Sequence, residues 1–130
     1  MGNNINVMGD IGKYFNRKEF GCPDGCGFDN ISQELVDMLD DIREEMNEPM
    51  IINSGCRCKK YNKKIGGASN SAHLRGLAVD IHAIGDHRAR LLPIIEEHFI
   101  RRGYGKTFVH IDIDDSLPQT QWVYGIVNYV

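Results

Sequence analysis

The stretch SNSAHLRGLAVDI, residues 69–81, sets His73 and Asp80 seven positions apart with Gly76 and Ala78 between them. Leu77–Ile81 alternates in the period-two manner of a strand. The small, glycine-containing segment before it suits a loop that approaches other backbone closely. Two readings follow. Either the pair belongs incidentally to a loop and a strand, or it is part of a metal site.

Working outward, FVHIDI at 108–113 is a second clear strand, followed by the turn DDSLPQT and a last strand near Trp122–Val127. Leu35, Leu39, Ile42 and Met46 recur at helical spacing and predict a helix over Ile31–Glu48. Asp29, Asn30 and Ser32 offer N-cap oxygens and Pro49 stops it. MIINS, 50–54, reads as a short buried strand, and Lys59–Ile65 as one or two helical turns before Gly66-Gly67. Leu91–Phe99, preceded by residues from Asp86, carries an apolar stripe, with Pro93 expected to break or kink it and Gly103 to end it. Helices and strands mix without a βαβ repeat. That predicts an α+β class, one domain over 1–130, with a mainly antiparallel sheet flanked by helices.

The 130 residues are 42% hydrophobic and 25% charged, the balance of a globular chain. Net charge is −3, which argues against a nucleic-acid partner. The basic run Arg57, Lys59, Lys60, Lys63, Lys64 reads as a solvated helix face. No apolar run approaches the roughly 18 residues of a membrane span. The opening MGNNINVMGDIGKYF lacks a basic segment followed by an apolar one, so no signal peptide is expected. The expectation is a monomer, made in the cytoplasm, with no membrane partner.

Cys22, Cys26, Cys56 and Cys58 form two tight pairs, CPDGC and CRC. They are compatible with separate buried thiols, two disulfides, or a four-thiolate structural zinc site. In the last two cases the two loops are expected to meet.

Residues two apart on a strand share a face. Asp80 therefore faces with Ala78 and His82, and His110 with Phe108 and Asp112. If the two strands are neighbours, Asp80 and His110 converge and the preceding loop delivers His73. Two imidazoles and a carboxylate with an open fourth position make a catalytic zinc site.

The motif S-x-H-x-x-G-x-A-x-D is complete as Ser71, His73, Gly76, Ala78 and Asp80, and V-H-I-D follows at 109–112. With SGCRC, GGASNS and KYFNRKEFGC upstream, the chain over about 14–113 resembles the zinc D-Ala-D-Ala carboxypeptidase and L-alanyl-D-glutamate endopeptidase family, whose fold the Hedgehog signalling domain shares. The resemblance implies that His73, Asp80 and His110 bind zinc. It implies that Arg57 meets a substrate carbonyl or carboxylate, which suits a guanidinium fork, and that Ser71 lies beside substrate. It also implies peptidoglycan stem or crossbridge peptides as substrate. With no signal peptide, it points to a phage-type lysin released when the membrane is breached, or to a virion-associated peptidase.

One position departs from the family pattern. Many members carry an acidic general base three residues before the last histidine, where this chain has Thr107. Asp112 is the replacement expected to take the proton of the attacking water; its other reading is a carboxylate that orients His110. The departure keeps open a rival, a zinc-containing binding module of the same fold without turnover. His82 is a lesser candidate beside Asp80. His87 and His98 are expected at the surface, and Trp122, Tyr124 and Tyr129 in the core. Asp112, Asp114 and Asp115 lack the glycine and glutamate of a calcium loop.

Overall fold

Ser32 starts the first helix: its side-chain oxygen accepts the Leu35 N–H at 3.3 Å, the N-cap bond that satisfies an otherwise orphaned donor. The computed structural model describes residues 9–125. Helix α1 spans Gln33–Met46 and ends at Asn47, which adopts the left-handed conformation at φ 54°. Its buried stripe is Leu35, Val36, Leu39, Ile42 and Met46. Strand β1 (Ile52–Ser54), helix α2 (Lys59–Lys64), strand β2 (Ala78–His82), helix α3 (Gly85–His98) and strands β3 (Arg101–Tyr104), β4 (Phe108–Asp112) and β5 (Gln121–Val123) follow. Short 3-10 turns lie at Arg17–Phe20 and Ala72–Arg75.

The five strands form one sheet in the order β1-β2-β4-β3-β5, antiparallel except for the parallel β3–β5 pair. The α+β class and mainly antiparallel sheet expected from the sequence are present. Period-two alternation sorts the central strands. Val79 and Ile81 of β2 and Val109 and Ile111 of β4 join the core with Leu35, Leu39, Ile42, Leu91, Ile95 and Phe99. The residues between them, Asp80, His110 and Asp112, fall on the other face, where β2 and β4 pair Asp80 with His110.

Several elements differ from expectation. The segment 50–54 yields only the three-residue edge strand β1, with Ile51 exposed. Helix α3 runs through Pro93 without stopping. An interior proline costs roughly 3 kcal/mol. Burial of Leu91 and Ile95, each about 1.5–3 kcal/mol, offsets it. Gly103 does not end that helix; it lies inside β3, opposite His110. A Cβ there would come within 2.6 Å of the Trp122 ring, so glycine makes room for the indole. The last strand closes at Val123, because Tyr124 and Gly125 form a turn, while the rest of the expected extension to Val127, like Tyr129, lies outside the described residues. No helix among the described residues is long and apolar enough to cross a membrane.

Candidate metal centre and cleft

The turn that carries His73 is held in place on both sides. The Ser71 side-chain oxygen accepts the His73 N–H at 3.2 Å. Gly76 closes the turn at φ +69°, and its carbonyl accepts the Ser32 N–H at 2.8 Å. A Cβ on Gly76 would lie 2.1 Å from the Asn30 carbonyl oxygen. Glycine is thus demanded twice, by the left-handed backbone and by the close approach to the entry of α1.

The three residues converge. Asp80 Oδ1 lies 3.2 Å from His73 Nε2 and 2.9 Å from His110 Nδ1, and the two imidazole centroids are 5.1 Å apart. One ligand-capable atom from each lies within 4.8 Å of the others. His73 and His110 are buried. The outer nitrogens are also engaged. His73 Nδ1 donates to the Gly55 carbonyl at 2.6 Å, and His110 Nε2 lies 2.7 Å from Asp112 Oδ2.

This arrangement fits a divalent metal. A carbonyl oxygen only accepts, so His73 Nδ1 carries the proton and a neutral ring turns its Nε2 lone pair toward the Asp80 carboxylate. Two lone pairs face each other unless a cation sits between them. Protonation answers the same need. Burial works against charge on His110, yet hydrogen bonds to Asp112 and Asp80 outweigh it and raise its pKa. Burial would raise Asp80, but the His110 and His73 contacts hold its carboxyl far below the ordinary range. The same contacts that stabilise a proton here suit zinc, with each histidine oriented from behind by an acceptor.

Arg57 borders the trio. Its Nη2 donates to Asp80 Oδ2 at 3.1 Å, its Nε to the Ser54 side-chain oxygen at 3.1 Å and its Nη1 to Asn62 Oδ1 at 3.3 Å. The Arg57 N–H donates to the His73 carbonyl at 3.0 Å. These residues floor a cleft of about 500 Å³, walled by Ser71, Phe108, Arg101, Trp122 and Tyr124.

A family model described as Peptidase M15 matches residues 13–113. The chain belongs to the M15 peptidase family. This is a family of zinc peptidases, and the fold expected from the sequence agrees with it. No curated protein matches the chain.

Within this M15 chain, other sequence-derived candidates fall in less expected places. The Asp112 side chain is completely buried and does not face the cleft. Both its oxygens accept from Arg101 Nε, at 2.8 and 2.9 Å; Oδ2 also meets His110, and Oδ1 accepts the Asp114 N–H at 3.1 Å. A base must reach the attacking water, and these contacts already occupy both Asp112 oxygens. Thr107 is exposed and outside the cleft lining; His82, half-buried and paired with Phe108 of β4, is outside it too. Trp122 and Tyr124, expected in the core, instead form the cleft wall. Trp122 packs 5.4 Å from His110 and beneath the Arg101 guanidinium at 4.7 Å. Asp114 is buried against Arg75, whose Nε donates to it at 2.6 Å, and serves as an anchor for the loop.

The cysteines divide. Cys56 is buried in the core, while Cys22, Cys26 and Cys58 gather with Asp24, a residue the cysteine spacing alone does not single out. His87 and His98 lie at the boundary, paired with Glu48 and Glu45. The sequence also gave no sign of Arg101 or the Gly55 carbonyl. Both act through contacts between distant segments that carry no local signature.

Proposed function

We propose that this M15 peptidase hydrolyses peptide bonds in peptidoglycan stem or crossbridge peptides, as a small lysin acting on the wall after release or from a virion. The observation that carries the reading is the convergence of His73, Asp80 and His110 at the floor of an open cleft, with Arg57 beside them. Zinc, when bound by these three, supplies a Lewis acid for the scissile carbonyl and acidifies water.

The chain's own groups do the rest. Arg57 is permanently charged and already fixed by three acceptors, so it meets a substrate carbonyl or carboxylate without reorganisation. Asp112 holds the His110 ring by its outer nitrogen, and Arg101 holds Asp112. Ser71 fixes the His73 backbone and presents the same side of the cleft to substrate. Trp122 and Tyr124 offer flat apolar surface for a peptide chain.

One observation favours a second reading, a metal-loaded binding module without turnover. Among the described residues the only carboxylate lining the cleft is Asp80, itself one of the metal set. The deciding experiment incubates the zinc-loaded protein with purified peptidoglycan and follows new amino groups and fragment masses. The enzyme reading expects release that His110→Ala abolishes. Wall binding without any release supports the module instead.

A further inference from the structure

The second cluster of ligand-bearing side chains stands apart from the cleft. Cys22, Asp24 and Cys26 lie on the loop after the Arg17–Phe20 turn, and Cys58 is the N-cap of α2. The loop is shaped to gather them. The Cys22 N–H donates to the Phe28 carbonyl at 2.8 Å, and the Cys26 N–H to Asp24 Oδ1 at 2.9 Å. Gly25 and Gly27 flank Cys26 at φ +79° and +87°, reversals that side chains rarely adopt.

Across the gap, Cys58 Sγ is 3.0 Å from Asp24 Oδ2 and Cys22 Sγ is 3.3 Å from Asp24 Oδ1. Two backbone N–H groups point at sulfurs: Cys58 N–H at Cys22 Sγ and Tyr61 N–H at Cys58 Sγ, both at 3.4 Å. Such donors stabilise sulfur in its anionic, metal-binding form. All four ligand-capable atoms lie within 4.8 Å of one another. Tetrahedral zinc with arms of about 2.3 Å needs sulfurs about 3.8 Å apart, so small side-chain rotations close the site. Cys56 is no part of it: it is fully buried in the hydrophobic core, and its N–H donates to the Phe20 carbonyl.

We propose that Cys22, Asp24, Cys26 and Cys58 hold one thiophilic divalent cation, zinc by preference, as a structural site separate from the His73–Asp80–His110 centre. Three sulfurs and one oxygen suit a borderline-soft ion and disfavour magnesium or calcium. The site also has a use. Arg57 lies between core-anchored Cys56 and ligand Cys58, and α2 carries Asn62, which accepts from Arg57 Nη1. A cation at Cys58 fixes the start of α2 to the 22–26 loop and so holds the cleft arginine from outside the cleft.

The test is metal content of the whole chain, purified under reducing conditions and loaded with zinc, together with the absorption spectrum of cobalt-loaded protein. Wild type is expected to hold two metals and to show thiolate-to-cobalt charge transfer in the near ultraviolet. Cys26→Ser and Asp24→Ala change exposed side chains, so the fold is spared. Cys26→Ser should drop to one metal and lose or strongly weaken the charge-transfer band, and Asp24→Ala should hold the second metal more weakly. His110→Ala should also drop to one metal but keep the band. Cys56→Ala, checked for native circular dichroism, should keep both. A wild type without the band, or Cys26→Ser with both metals, overturns the proposal. Loss of the thiolate-bound metal in folded Cys56→Ala overturns this ligand set. If only His110→Ala behaves unexpectedly, the cleft reading fails and the thiolate site stands.

Discussion

His110 Nε2 sits 2.7 Å from Asp112 Oδ2, while Nδ1 of the same ring meets Asp80 at 2.9 Å. The ring is therefore held from both ends by carboxylates, and only Asp80 belongs to the cleft. Asp112→Asn keeps the shape but offers a weaker acceptor to the ring. Outer partners of metal-bound histidines are worth roughly 10–100-fold in metal affinity or activity. Asp112→Asn should lose zinc affinity by about that factor, and activity should return at high zinc. Competition with a chromogenic chelator checks the first half. Unchanged zinc affinity with activity abolished would make Asp112 the base.

Arg57 is the cleft's fixed cation. Arg57→Lys keeps the charge and loses the planar fork that spans Asp80, Ser54 and Asn62. Removing a preorganised donor to a developing oxyanion costs about 10²–10³ in rate. The variant should lose kcat/KM by a factor of that order and keep its zinc. Steady-state kinetics on a stem peptide, paired with metal analysis, decides it. A variant within about twofold of wild type would remove Arg57 from substrate contact.

Gly76 links the His73 turn to α1 through the Ser32 N–H. Gly76→Ala forces a left-handed backbone and drives a Cβ to 2.1 Å from the Asn30 carbonyl. Such strain costs of order 1–3 kcal/mol. Urea unfolding should show a lower midpoint with an unchanged slope. An unaltered midpoint would mean that the loop relaxes freely, against the tight packing described.

The strands that bear the centre were legible because β2 and β4 alternate, and alternation alone puts Asp80, His110 and Asp112 on one face. The same signal is missing from β3. Arg101-Arg102-Gly103-Tyr104 has no apolar alternation, and Gly103 imitates a helix stop. Without β3, the Arg101–Asp112 pair and the parallel β5 that brings Trp122 over Gly103 cannot be foreseen. Asp112 is the consequence. Its face was readable, but the arginine that occupies its oxygens was not. Spacing also could not separate Cys56 from Cys58, because one enters the core and the other caps α2.

Glu48 ties the end of α1 to α3. Its carboxylate accepts from Arg90 Nε at 2.8 Å and Nη2 at 2.9 Å, and lies 2.8 Å from His87 Nδ1. Arg90, then His87, pulls its pKa from 4.5 to about 2. A carboxyl depressed in the folded state stabilises the fold above its unfolded value, and that contribution disappears as pH falls through the folded one. Glu48→Gln should therefore lower the thermal midpoint at neutral pH, and the two proteins should converge as pH drops from about 4.5 to about 2. Added salt should narrow the neutral-pH gap, since the pair is partly exposed. Calorimetry across that range provides the check. A gap that stays constant down to the most acidic point would show that Glu48 acts by packing and not by charge.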